Sequence, residues 1–111
     1  MKITYHWILD KNGEPIPASS EQWCDWFEKG FMQDNRRVSR EKVGGYEVST
    51  VFLGIDHNYG AGPPVLWETM IFGPGPLDQH QERCSGSREQ AEAMHARMVK
   101  KVKAKKSKVK K

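Results

Sequence analysis

Two apolar runs, residues 48–55 and 65–72, constrain this chain more than any other feature. Each is dense in Val, Ile, Phe, Thr or Trp, the residue types that fit the pleated, half-buried surface of a sheet. The stretch between them is punctuated by Gly60, Gly62, Pro63 and Pro64, which favour turns and interrupt strand pairing. The two runs therefore form a central hairpin, and the rest of the chain has to cover its apolar side. Asp56 and His57 close the first run and Glu68 lies in the second. A site, if the chain carries one, is expected at this hairpin.

The flanking segments supply the covering elements. Alternation across residues 3–9 predicts a strand, and Asp10-Lys-Asn-Gly13 ends it in a tight turn, because Gly after Asn supplies positive φ. Pro15 and Pro17 keep the next segment extended. Ser19 with Gln22 forms a capping box, so a helix is expected over residues 20–29, ended by Gly30. Trp23, Trp26 and Phe27 share one face of that helix, and this spacing reads first as core. Residues 35–43 read as a charged edge strand, followed by a Gly44-Gly45 turn. Its Arg36, Arg37 and Arg40 are read as solvated edge charge rather than phosphate contacts.

Beyond Phe72, the Gly- and Pro-rich residues 73–78 form an irregular loop and residues 80–84 a short strand. Ser87 with Gln90 gives a second capping box, and Ala91, Met94, His95, Met98 and Val102 recur at helical spacing. This last helix should lay its stripe on the sheet and fray into the lysines that follow.

Charge is divided unevenly along these elements. Eight of the last twelve residues are Lys, with no acid among them. The remaining 99 residues hold ten basic and fourteen acidic side chains, a net charge of −4. The basic character thus belongs to the C-terminal run. With 111 residues there is room for one domain, expected over residues 1–99, while residues 100–111 form a lysine-rich tail, either a helix extension or disordered. Two cysteines, Cys24 and Cys84, far apart and without a CxxC partner, make neither a disulfide framework nor a zinc signature. No apolar run is long enough for a membrane helix, and the N-terminus lacks signal-peptide character, so a cytoplasmic protein without a transmembrane segment is expected.

The central pattern resembles a family of small uncharacterised proteins of tailed bacteriophages, prophages and bacterial genomes. The matching positions are Leu53-Gly54-Ile55-Asp56-His57, Gly62-Pro63-Pro64, Trp67-Glu68-Thr69-Met70 and Phe72-Gly73. The Asp10 to Gly13 turn, the helix bearing Trp23 and Phe27, and a His on the last helix are similar as well. The chain departs from the pattern at Arg83-Cys84-Ser85, where the family carries an aromatic residue, and in its lysine run. The resemblance implies a phage setting, and hence the host cytoplasm, and carries no known chemistry.

Asp56, His57, Asn58, Tyr59, Gly60, Gly62, Glu68 and His95 form the candidate binding set. Alternation sends the side chains of Asp56 and His57 to opposite faces unless the strand ends or bulges at Gly54. His95, on the apolar stripe, could approach Glu68 or whichever of Asp56 and His57 points inward. A divalent-metal or acid–base site built on Asp56, His57, Glu68 and His95 is one reading. The other is a buried His held by a carboxylate, with Asp56 capping the loop. No HExxH, P-loop or dinucleotide fingerprint is present. Lys100, Lys101, Lys103, Lys105, Lys106, Lys108, Lys110 and Lys111 are candidate nucleic-acid contacts, sequence-independent and salt-sensitive.

The expected fold is α+β: an antiparallel sheet of four or five strands, two helices mainly on one face and a disordered basic tail. The expected function is that of a small non-enzymatic phage accessory protein, in host takeover or anti-defence, without a cofactor. It would bind a host or phage protein or a small nucleotide-like ligand, with the tail adding nucleic-acid contact. A metal-dependent hydrolase and a structural component of the phage particle are the rivals. Oligomeric state is not legible in the sequence.

Overall fold

The structure, a computed structural model, describes residues 5–30, 34–58 and 60–109, the side chains of the last five of these excepted. It is an α+β fold in the order β1 (Trp7–Leu9), β2 (Pro15–Pro17), α1 (Ser20–Gly30), β3 (Arg37–Val43), β4 (Tyr46–Phe52), β5 (Val65–Phe72), β6 (Gln81–Ser85) and α2 (Arg88–Val109). The expected sheet is a four-stranded antiparallel meander, β3-β4-β5-β6, and β1 and β2 pair as a separate two-stranded hairpin. Of the segment expected as the first strand, Ile3 and Thr4 lie outside the described residues.

The local signals act as their chemistry requires. Asp10 Oδ1 accepts the amides of Asn12 and Glu14 at 2.8 and 3.0 Å, and Gly13 takes φ 80° to complete the turn. In the first capping box Ser19 Oγ accepts the Gln22 amide at 3.1 Å while Gln22 Oε1 accepts the Ser19 amide at 2.9 Å. At the start of α2, Gln90 Oε1 accepts the Ser87 amide at 3.2 Å, and Glu14 of the first hairpin accepts the Arg88 amide at 3.0 Å. A carboxylate there also suits the positive end of the helix dipole.

Register sets the two faces of the meander. Val48 lies opposite Ile71, Thr50 opposite Thr69 and Phe52 opposite Trp67, and all six are buried on one face. Onto that face α2 lays Ala91, Met94, His95, Met98, Val99 and Val102. The helix runs from Phe52 and Trp67 at one end of the sheet to Val43, Val48 and Ile71 at the other. α1 reaches the same face at its first end, where Trp26 meets Phe52 edge-on with ring centroids 5.8 Å apart. The opposite face is polar: Arg37 donates to Ser49, Arg40 pairs with Glu47 and Arg83 with Glu68.

Val102 is fully buried, so the core extends past the expected boundary at Val99. α2 continues into the lysine-rich segment as far as Val109, and Lys110 and Lys111 lie outside the described residues. The first apolar run also ends early. Gly54, at φ 78°, breaks β4 after Phe52, and Ile55 then bridges to His6 beside β1. The Gly54 carbonyl accepts both the Trp7 amide at 2.8 Å and the Trp23 indole N–H at 2.9 Å. One residue thus joins meander, hairpin and α1.

Candidate functional site

The loop after Gly54 is organised by a buried carboxylate. Asp56 is fully buried, and its Oδ1 accepts the amides of Asn58 at 2.8 Å and Val65 at 2.9 Å. Its own amide donates to the Tyr5 carbonyl at 2.9 Å, and the His57 amide donates to the Val65 carbonyl at 3.0 Å. Asn58 continues the pattern, donating to the Pro63 carbonyl at 3.0 Å and accepting the Gly60 amide at 3.2 Å. Asp56 therefore acts as the cap of the loop and fixes where β5 begins. Gly60 and Gly62 are exposed at its tip, His57 and Asn58 are half-buried, and Tyr59 lies outside the described residues.

Glu68 and His95 do not share a site, because the sheet separates them. Glu68 pairs in register with Val51 and Arg83, and its Oε2 accepts from Arg83 Nε at 2.7 Å on the polar face. His95 is on the covered face, only 4% exposed, with Nδ1 at 2.7 Å from Thr50 Oγ1 and Nε2 at 3.1 Å from Glu41 Oε1. Thr50 in turn contacts Thr69 through its hydroxyl. Among the described residues no group of three or more His, Cys, Asp and Glu is arranged to hold a metal ion.

The Thr50, His95, Glu41 series carries the residue types of a nucleophile, a base and an orienting acid. Burial argues against that use, since Thr50 has no exposed surface through which a substrate could reach it. Its role is to satisfy polar groups inside the layer between helix and sheet. Glu41, Thr50 and Thr69 were not singled out from the sequence, although a signal was present. Thr50 and Thr69 interrupt apolar positions of the same strand parity, and His95 interrupts an apolar helix stripe. Facing interruptions of two apolar surfaces are expected to meet.

Lys100, Lys101 and Lys103 are exposed on α2. Lys101 is turned toward the body, with Nζ 3.1 Å from His80 Nε2 and 3.7 Å from Glu82. Lys105, Lys106 and Lys108 lie on the helix backbone, and Val102 is the last buried residue among those whose side chains are described. Burial raises the Cys84 thiol above its ordinary value, against the lowering influence of Arg97. No described helix is long and apolar enough to cross a membrane.

Comparison with protein-family models, with curated proteins and with solved structures finds no match to this chain. Class is therefore set by architecture alone: an α+β domain in which a β-meander is covered by a basic-ended helix.

Proposed function

We propose that the chain is a non-enzymatic accessory protein that contacts nucleic acid through the basic end of α2. The observation that carries this reading is an acid-free run of eight lysines in residues 100–111, following a body of opposite net charge. The helix continues to Val109, so the lysines at 103, 105, 106 and 108 follow Val102, which is buried, on a helical backbone. Such a run attracts phosphates through counterion release and reads no sequence. A phage setting in the host cytoplasm, with host takeover or anti-defence as the role, is part of this proposal. At the opposite end of the sheet, the loop at 56–64 is the surface proposed for a host or phage protein. No cofactor is proposed, and no observation favours the hydrolase or particle-component readings.

The test replaces Lys105, Lys106, Lys108, Lys110 and Lys111 together by Gln in the full chain. Retention of a random-sequence oligonucleotide is then measured against salt. The wild type should bind with a salt slope of about −0.9 for each phosphate neutralised, and the variant should lose most of that slope. Equal retention and equal slope would remove the nucleic-acid reading.

A further inference from the structure

Helix α1 is unusual in that its only buried residue is Gly30. Trp23, Trp26 and Phe27 form its apolar side, yet all three stay half-buried, so the core reading of their spacing holds only in part. Trp26 packs against the core, whereas Trp23 and Phe27 face a cavity. The cavity measures about 410 Å³ and is walled by Trp23, Phe27, Leu53 and Ile55, with Gly30, Asp34, Asn35 and Arg36 at its rim. Aromatic and aliphatic walls with a few polar groups at the rim are the ordinary make-up of a small-molecule site.

The polar rim has a definite sign. Asp34 is engaged by Arg37 Nε at 2.7 Å, which neutralises the rim carboxylate. The Arg36 guanidinium stands 5.0 Å from the centre of the Phe27 ring and forms no ion pair with any described residue. Asn35 is set against Gly30, where a Cβ would come within 1.9 Å of its side-chain nitrogen, so the absence of a side chain at Gly30 leaves room for that amide at the rim. The Trp23 indole N–H is committed to the Gly54 carbonyl, leaving its ring as an apolar wall.

We propose that this cavity binds a small organic anion, a flat ring carrying a carboxylate or a phosphate. The ring lies against Trp23, Phe27, Leu53 and Ile55, where aromatic faces and apolar side chains favour planar groups. The acid group meets Arg36, whose planar fork suits either oxyanion, and the Asn35 amide adds a neutral donor. Arg36 approaches the Phe27 face as a cation over a ring and stays positioned for the ligand. The volume lies within the ordinary range for small-molecule sites, about 300–1,000 Å³. This site stands apart from the lysine reading: α2 carries the lysines away past Val43, Val48 and Ile71, at the other end of the sheet from Gly54.

The full chain, labelled for amide NMR, is titrated with AMP and with indole-3-acetate, and with adenosine and indole-3-acetamide as their neutral counterparts. At least one anion should shift the Trp23 indole N–H and the amides of Gly30, Asn35 and Arg36 saturably, and bind about tenfold more tightly than its counterpart. A preference for AMP identifies phosphate as the acid group, and a preference for indole-3-acetate identifies carboxylate. Arg36→Gln, at an exposed position, should bring the anion to the affinity of the neutral compound with the other resonances unmoved. The proposal fails if neither anion moves these resonances, if neutral and anionic probes bind alike, if shifts are confined to the lysines of α2, or if Arg36→Gln changes nothing.

Discussion

Nδ1 of His95 lies 2.7 Å from Oγ1 of Thr50, a polar link between α2 and the middle of β4 inside an otherwise apolar layer. One proton arrangement satisfies every group: Nε2–H donates to Glu41, the Thr50 hydroxyl donates to Nδ1, and the Thr69 hydroxyl donates to Thr50. The link fixes the register of the helix along the sheet, because sliding α2 by one turn would leave buried polar groups without partners.

Thr50→Val keeps shape and removes the hydroxyl, so Nδ1 of His95 and the Thr69 hydroxyl lose their buried partner. The expected cost is about 1–3 kcal/mol in urea unfolding, with Thr50→Ser recovering most of it. A valine variant as stable as wild type would show that the link contributes nothing net.

Gly54 and Gly45 offer a matched comparison. Both have positive φ, 78° and 90°, but a Cβ at Gly54 would sit 2.4 Å from the Phe27 ring, whereas one at Gly45 meets nothing within 4 Å. Gly45→Ala should therefore cost about 1 kcal/mol from backbone strain alone, and Gly54→Ala distinctly more. Thermal melts of the two variants decide this, and equal losses would contradict it.

Asp56 accepts two part-buried amides and so ties both ends of the loop to one carboxylate. Asp56→Ala should destabilise by about 2 kcal/mol or more and speed hydrogen exchange at Val65, while Asp56→Asn, which keeps an oxygen acceptor, should restore most of both. Alanine with native exchange at Val65 would overturn the capping role.

The two thiols should separate kinetically. Cys24 is exposed, whereas Cys84 is partly covered and its thiol is raised by burial, with Arg97 opposing. Since the thiolate is the reactive form, a disulfide reagent should label one thiol quickly and the other slowly, and Cys24→Ser should abolish the fast phase. A raised folded-state value means that Cys84 favours the fold while neutral. That contribution is full below the ordinary thiol range and declines as pH rises through it.

Much of this architecture is written locally. The first capping box, the Asp10 to Gly13 turn and the stripe of α2 are where short-range spacing puts them; the second box forms one of its two bonds, and the central hairpin forms with its first strand stopping at Phe52. The transfer at Gly54 was partly legible, as a residue where the strand could end. Its partners Trp7 and Trp23 were not, because they come from distant segments. For the candidate site, alternation alone left open which face Glu68 would take. Register across three strands decided that it meets Arg83 while His95 meets Thr50. The half-exposure of Trp23 and Phe27 was hidden for a similar reason: spacing shows which side chains share a helix face and not what, if anything, is laid over them.

The covering of β3–β6 by α2 also sets an order of events during synthesis. The meander emerges from the ribosome before the helix that shields it, so Val48, Phe52, Trp67 and Ile71 stand uncovered until residues 91–102 have been made. During that interval the nascent sheet presents an adhesive apolar face. Docking of α2 onto the strands therefore competes with association of the uncovered face with neighbouring chains.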